Sequence, residues 1–414
     1  MSLKERIIQI GKQARGASYR LAVLTEKDKN KALLAIAGSI ESNRDSILKA
    51  NRKDVDEWGQ KIGTALTDRL TLNEKRISGM IKNLKDVASL RDPVGEVVER
   101  FVLKNGLEIK KVRVPLGVIG FIYEARPNVT IEAVSLCIKA GNAVILRGGK
   151  EALNSNKEIV RIINSSQNTL PEGSVQLIED MTHESSQILM GMREYVDVLI
   201  PRGGEGLIKS VVENAKVPVI ETGIGNCHVF VDESADLEMA KKITMNAKCQ
   251  RPSVCNAAEK LLVHEKIAGK FLPEIAREFS KLDVEMRGDE KTRKIIDAKK
   301  AGEEDWYTEY LSLIIGIKVV KDVNEAIDHI NKYGSKHSDS IITRNRENAQ
   351  MFVKGVDSAA VYVNASTRLT DGSVFGMGGE VGISTQKLHA RGPVGLRELT
   401  TTKFIGIGNG QIRE

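Results

Sequence analysis

The sequence predicts an α/β protein: a doubly wound parallel sheet, a second α/β unit carrying a cysteine loop, and a small β-hairpin element. Three observations predict it. From Pro115 to Ile220 short apolar strand-like runs alternate with helical segments, the pattern of a parallel sheet covered on both faces. A second strand–helix alternation begins near Gly223 and surrounds Cys255. Between the N-terminal helices and the first sheet, the hydrophobic period shortens to that of strands.

The elements follow in order. Residues 2–22 read as a helix, because Ser2 and Glu5 form a capping box and Leu3, Ile7, Ile10, Ala14 and Leu21 recur at helical spacing. A longer helical region follows Thr25, and a third begins at Thr71-Leu-Asn-Glu74, again read as a capping box. Asn105-Gly106 between the runs Phe101–Lys104 and Leu107–Val114 predicts a hairpin with a type I′ turn. Such a hairpin cannot bury both of its faces, so it pairs with another subunit or another part of the chain.

Strands are expected at Val118–Tyr123, Ala143–Leu146, Val175–Ile178, Val196–Ile200 and Val217–Ile220. Helices at 129–140, 151–165, 183–192 and 205–214 separate them. In the second unit the expected strands are His228–Val231, Leu261–His264, Leu313–Val320, Ser340–Thr343 and Ala359–Asn364. Its helices are one after Asp236, then 265–281, 289–299 and Val323–Ile330. The final run, Thr401–Ile407, reads as a strand able to cover the hairpin.

Composition narrows the function. The 414 residues are 41% hydrophobic, 28% charged and 4% aromatic, ordinary for a globular chain of two or three domains. No apolar run approaches the ~18 residues of a membrane span, and the N-terminus lacks a signal peptide's apolar core, so a cytoplasmic protein is expected, with no membrane partner. The charge of +7 arises from 62 basic and 55 acidic residues interspersed along the chain. That pattern suits small anions better than nucleic acid, which calls for clustered cations and stacking aromatics. Cys137, Cys227, Cys249 and Cys255 show no CxxC spacing, and no HExxH occurs, so no metal is expected.

Cys255 is the candidate for chemistry. It sits in a polar, turn-rich loop with Lys248 and Arg251 nearby, where a depressed pKa and an accessible sulfur can coexist. The alternative is a small packing residue, the usual fate of a free cysteine and the reading for Cys249. Two glycine turns, Leu146-Arg-Gly-Gly-Lys150 and Ile200-Pro-Arg-Gly-Gly-Glu205, place backbone N–H groups and a cation at helix N-termini, as phosphate binding requires. The G-x-G-x-x-G fingerprint is absent. A thiol beside a nucleotide-binding sheet fits acyl chemistry coupled to a hydride donor. Asn128, after Arg126-Pro127, is either an oxyanion donor for that chemistry or a helix cap. A glycine-rich tail, Phe375–Pro393, interleaves apolar residues with Lys387, His389 and Arg391.

Pro115-Leu-Gly-Val-Ile-Gly120, Arg126-Pro-Asn128, the cysteine loop and Phe375-Gly-Met-Gly-Gly-Glu380 resemble the aldehyde dehydrogenase superfamily. Within it, four longer stretches resemble the γ-glutamyl phosphate reductase family of proline biosynthesis: Tyr123–Val129, Val254–Glu259, Val363–Gly372 and Gly382–Pro393. The resemblance runs over essentially the whole chain. It implies an aldehyde-dehydrogenase-like fold with an NADP-binding domain (1–99, 115–222 and 385–400), a catalytic domain (223–384) and an oligomerisation element (100–114 and 401–414), hence a homo-oligomer. It further implies NADPH-dependent reduction of L-glutamyl 5-phosphate to L-glutamate 5-semialdehyde through a thioester.

By the same resemblance Cys255 is the nucleophile and Asn128 an oxyanion donor. Arg147 and Lys150 would favour the 2′-phosphate of NADP(H), Gly203 and Gly204 would face the pyrophosphate, and Glu309 would hold the nicotinamide ribose. Arg251, Arg368, Lys387 and Arg391, with Asn364 and His389, are candidates for the substrate's phosphate and carboxylate. A glutamate kinase supplying the unstable acyl phosphate is a candidate partner. One departure stands out: the hydrolytic members' Glu-Leu-Gly-Gly is Glu221-Thr-Gly-Ile-Gly225 here, and the role of Glu221 stays open. The alternative reading is a hydrolytic NAD(P)-dependent aldehyde dehydrogenase for a small acidic aldehyde.

Overall fold

The computed structural model describes residues 1–166 and 170–413, so the last residue of the expected 401–414 segment, Glu414, lies outside the described residues. The chain forms two compact units. The first comprises 1–222, 376–382 and 394–414, the second 223–375 and 383–393.

The first unit opens with helices Leu3–Leu21, Glu26–Ser42, Arg44–Trp58, Thr64–Leu70 and Glu74–Ser89. Ser2 and Glu5 form the expected capping box, and Thr25 with Asp28 forms another. The box expected at Thr71 does not form. Asn73 caps the helix by accepting from the Arg76 N–H, while the Thr71 hydroxyl closes the preceding short helix by donating to the Thr67 carbonyl. Only the residue immediately before the first turn can reach its free N–H groups.

The hairpin pairs Val97–Val102 with Glu108–Pro115, and Thr400–Ile407 adds antiparallel to the other edge of the latter. Its turn differs from the type I′ expected. Val102 faces Glu108, the Gly106 N–H donates to the Leu103 carbonyl, and only Gly106 has positive φ (83°). This is a type I turn followed by a left-handed glycine, the longer hairpin solution. Asn105 instead accepts from the Leu107 N–H through its side chain.

After the hairpin the chain forms a four-stranded parallel sheet in the order Val175–Leu177, Ala143–Arg147, Val118–Tyr123, Val198–Arg202. Helices Pro127–Lys139, Leu153–Asn164, His183–Gly191 and Glu205–Asn214 connect and cover it. Val217–Ile220 is not a strand: Pro218 has no N–H to donate, and one bridge, Leu199 to Val219, remains. The chain runs outward from Val118–Tyr123 and returns to its other side, which puts the topological switch point at Glu124 and Gly203. There, at the carboxyl ends of the strands, open α/β sheets bind their ligands.

The second unit is a seven-stranded parallel sheet ordered Lys299–Lys300, Glu285–Gly288, Ile314–Val320, Ala258–His264, Cys227–Val231, Ser338–Ile342, Ala360–Val363. Alternation along the strands builds a core on each face. Val229, Val231, Leu261, Val263, Ile315 and Ile317 pack on the helix Glu265–Ser280, whereas Phe230, Leu262 and Ile341 meet Val323, Ile330 and Phe352. The helix expected over 289–299 is a single turn, Glu290–Arg293, ahead of the edge strand Lys299–Lys300. Strand Glu285–Gly288 and helix Arg346–Gly355 were not expected. The first is short and half-buried, and of the second only Phe352 is buried, so neither carries a strong hydrophobic period.

Candidate active site

The cysteine loop is built by two elements. Helix Leu237–Cys249, capped by Asp236, stops before Pro252, and the strand Ala258–His264 that follows is buried at every position. Asn256 and Ala257 are buried too, so the backbone is anchored while half-buried Cys255 stands at its boundary, at the amino end of the sheet.

Four contacts fix that backbone. The Cys227 thiol donates to the Cys255 carbonyl at 3.2 Å, and burial pushes its pKa well up, which keeps it a donor. The Asn256 amide donates to the Thr370 carbonyl at 2.9 Å, and the Asn256 carbonyl accepts from the Thr367 hydroxyl at 2.7 Å. Gly225 lies so close that a β-carbon there would stand 1.5 Å from the Cys255 carbonyl oxygen. The Gly225 N–H in turn donates to the Glu309 carboxylate at 2.7 Å. The altered motif beginning at Glu221 thus ends in a glycine that seats the cysteine loop and holds Glu309.

The expected substrate cations fall into two groups. Arg368 reaches the loop, donating to the Asn256 side-chain oxygen and to Gln250 Oε1 at 2.9 and 3.0 Å. Burial and then the charge of Arg251 lower its pKa, and the Cys255 thiol acts on it in the opposite sense. Lys387 and Arg391 converge on Asp357, at 3.0 and 2.8 Å, and these bonds hold the Asp357 pKa near about 2. His389, between them, is exposed with φ 41°. The Asn364 side chain bonds both the N–H and the carbonyl of Thr343 at 2.9 Å, at the carboxyl end of the neighbouring strand.

In the first unit Asn128 occupies the second position of helix Pro127–Lys139, not its cap, and its amide donates to Glu132 Oε1 at 2.8 Å, one turn on. An amide carries two N–H bonds, so one stays available while the other sets the orientation. Arg147 donates to the carbonyls of Met181 and Thr182 at 3.0 and 3.1 Å, and its buried Nε has no hydrogen-bond partner among the described residues. Burial lowers its pKa, against the pull of Asp180 and Glu151. Lys150 lies over the Trp58 ring at 4.7 Å. A cleft of ≈ 600 Å³ opens between helices His183–Gly191 and Glu205–Asn214, lined by Ile122, Arg147, Gln187, Met190 and Leu207 among others. The Gly204 N–H, heading the second helix, donates to the Glu124 carboxylate at 2.8 Å.

Comparison with known proteins decides the family. The aldehyde dehydrogenase family model matches residues 2–309. Relatives from Carboxydothermus hydrogenoformans and Caldanaerobacter subterraneus subsp. tengcongensis, both γ-glutamyl phosphate reductases, are 57% and 56% identical over 99% and 97% of this chain, and over 100% and 98% of their own. The crystal structure of the Thermotoga maritima γ-glutamyl phosphate reductase superposes with a TM-score of 0.96 at 55% identity, covering 99% of this chain and 100% of that one.

The chain belongs to the γ-glutamyl phosphate reductases of the aldehyde dehydrogenase family. A γ-glutamyl phosphate reductase is an oxidoreductase with a small-molecule substrate, and its chemistry calls for a nicotinamide cofactor. The first unit fits such a group: the cleft lies beside the switch point, and the Gly204 N–H already binds an anion, the Glu124 carboxylate. Reading the sequence assigned no role to Glu124, which accepts from the Gly204 N–H in the first unit, or to Gly225 and Cys227, which pack against and bond the Cys255 backbone in the second. Glu124 left a signal as an acid inside Tyr123–Val129, and Gly225 one as the end of the altered motif Glu221–Gly225, but the contact of Glu124 with Gly204 spans 80 positions. Among the described residues no helix is long and apolar enough to cross a membrane, and no cluster of His, Cys, Asp or Glu could hold a metal.

Proposed function

We propose that the chain reduces L-glutamyl 5-phosphate to L-glutamate 5-semialdehyde and inorganic phosphate with NADPH, through a thioester on Cys255, as a step of proline biosynthesis. The observation that carries this reading is 55–57% identity to γ-glutamyl phosphate reductases over essentially the full length.

The Cys255 thiolate attacks the acyl carbon; the C–S bond forms, the C–O bond breaks, and phosphate leaves with the electron pair. When bound, the nicotinamide supplies a hydride to the thioester carbon. Collapse of the resulting oxyanion breaks the C–S bond, frees the semialdehyde and returns the electron pair to Cys255. The free N–H of Asn128, aimed by Glu132, and the Cys255 backbone N–H are the proposed donors to that oxyanion, where charge develops. Arg251 and Arg368 serve the substrate anions nearest the thiol, and Lys387, His389 and Arg391 form a second basic segment around Asp357. Asn364 stays a proposed polar neighbour of the substrate: its bonds to Thr343 set the orientation of its amide, and one N–H is left to donate.

For the cofactor, Arg147 and Lys150 favour a 2′-phosphate, Gly203 and Gly204 the pyrophosphate, and Glu309 the nicotinamide ribose. In the oligomerisation proposal the hairpin offers its outer strand. All six residues of Val97–Val102 are exposed, and an unpaired apolar edge is a template for a second copy. A cytoplasmic location and hand-over from a glutamate kinase complete the reading.

Running the reaction in reverse tests it. Oxidation of the semialdehyde should require inorganic phosphate, and Cys255→Ala should abolish turnover while leaving NADPH binding intact. Steady oxidation at full rate without phosphate would make the chain a hydrolytic aldehyde dehydrogenase instead.

A further inference from the structure

Glu309 lies in a segment, Thr308–Leu311, that leads into the strand Ile314–Val320, and this segment is gripped from both faces of the neighbouring strand Ala258–His264. Glu259 and Lys260 are adjacent in that strand, so their side chains leave opposite faces of the sheet. Glu259 Oε1 accepts from the Leu311 N–H at 3.1 Å, and its other oxygen pairs with Lys248 Nζ at 2.8 Å. The Lys260 ammonium donates to the Thr308 carbonyl at 2.8 Å and lies 4.6 Å from the centre of the Tyr310 ring. Tyr310 is itself held, its hydroxyl donating to Asp305 at 2.9 Å and Arg287 standing over its ring. Thr308, Tyr310 and Leu311 are thus all anchored to this strand, Leu311 with φ 52°, and Glu309, in their midst, receives the Gly225 N–H.

Lys248, Glu259 and Lys260 are fully buried. Burial pushes Glu259 up to about 6 and Lys260 down to about 7. Among the described residues no carboxylate pairs directly with Lys260, and its stem fits because residue 316 is glycine, where a β-carbon would come within 2.9 Å of it. Removing an ammonium from water without a paired carboxylate is costly, and an apolar side chain would fill the same space. Its contacts therefore matter more than its bulk.

We propose that Lys260 is a positioning residue: from beneath the sheet it fixes Thr308 and Tyr310 and thereby aims Glu309 at Gly225 and the Cys255 loop. The proposal rests on the reading of Glu309 as the carboxylate that holds the nicotinamide ribose. It makes cofactor geometry, and so the hydride step, sensitive to a lysine that touches neither cofactor nor substrate.

The test compares Lys260→Met, Glu309→Gln and the double variant in the full-length enzyme, with the Kd for NADPH from equilibrium fluorescence titration, which should rise with KM, beside KM for NADPH, kcat and the primary isotope effect from 4-deuterated NADPH as readouts. Lys260→Met keeps the stem and deletes the ammonium. It should raise KM for NADPH about tenfold and enlarge the isotope effect, as a misplaced cofactor contact does. Glu309→Gln should do the same, and the double variant should be no worse than Glu309→Gln alone, because Lys260 acts through Glu309. Multiplicative losses in the double variant would overturn the proposal. So would Lys260→Met with unchanged KM and isotope effect beside an impaired Glu309→Gln, a result that leaves the reading of Glu309 standing. An unimpaired Glu309→Gln would sink that reading, and the proposal with it. Should Lys260→Met fail to fold, Tyr310→Leu removes the ring beneath the ammonium and should shift the same readouts in the same direction; no shift would overturn the proposal.

Discussion

Gly225→Ala is the sharpest perturbation the second unit offers. The added β-carbon would stand 1.5 Å from the Cys255 carbonyl oxygen, 2.3 Å from its carbon and 2.6 Å from its α-carbon, and real contacts of this kind do not fall below 3.0 Å. Either the cysteine loop or Gly225 must therefore retreat by about 1.5 Å, since every clashing atom is backbone and none can rotate away. Gly225 is not among the glycines with positive φ, so alanine brings no conformational strain and the effect is steric alone. Misplacing a reacting group by about 1 Å costs on the order of 10²-fold in rate. We therefore expect kcat to fall about 10²-fold or more, and the Gly225 N–H to lose its register with Glu309. Overpacking should also cost about 1–3 kcal/mol of stability. The assay is steady-state kinetics beside a thermal melt and the rate of Cys255 alkylation. Wild-type kcat in a well-folded Gly225→Ala enzyme would refute the claim that this glycine seats the thiol.

Other predictions follow the same geometry. Asn128→Ala should lower kcat about 10²–10³-fold with little change in KM for the acyl phosphate, the signature of a lost oxyanion donor; a KM effect alone would assign Asn128 to ground-state binding. Arg147→Ala should raise KM for NADPH far more than for NADH, and equal effects would remove the 2′-phosphate argument. Acid stability should depend on the buried histidines. Burial holds His329 near about 2 and His337 near about 4, both below the ordinary 6.5. The unfolded chain therefore takes up protons below pH 6.5 that the folded chain refuses, so stability is full above 6.5. It then falls on acidification by about 1.4 kcal/mol per pH unit for each histidine. His329→Phe, which keeps a ring among Trp306, Tyr333 and His228, should flatten the denaturation-midpoint profile between pH 6 and 4; an unchanged profile would show that His329 is not neutral in the fold.

Strands whose whole surface is buried announced themselves as continuous apolar runs, and Val118–Tyr123 occupies the residues expected. Local turn chemistry was less legible. Asn105-Gly106 carries the type I′ signature, yet the register of Val102 on Glu108 made the loop longer and left only the glycine left-handed. Thr71 read as the cap, and Asn73 took that place because Thr71 ends the preceding helix Thr64–Leu70. For the proposed site, the sequence could nominate residues that lie close together along the chain: the cysteine, its flanking loop and the two glycine turns. Contacts made across the fold were not legible. Nothing local marks Cys227 as the donor to Cys255, 28 positions away, or Lys260 as the support of Thr308, 48 positions away, because those partners meet only once parallel strands have fixed their register. Lys260 in particular, a cation that stands beside Glu259 in a fully buried strand, violates the local pattern, and such violations mark places where tertiary chemistry outweighs burial.

The central claim is a covalent glutamyl intermediate on Cys255, and one measurement reaches it directly. Semialdehyde and NADP⁺ are mixed with the enzyme in the absence of phosphate, the reduced cofactor is followed in a single burst, and the quenched protein is mapped by peptide mass spectrometry. The account predicts a burst equal to the active-site concentration, then a halt, with one glutamyl group on the peptide that contains Cys255 and turnover restored on adding phosphate. Continuous turnover without phosphate, or a burst that leaves Cys255 unmodified, would contradict it.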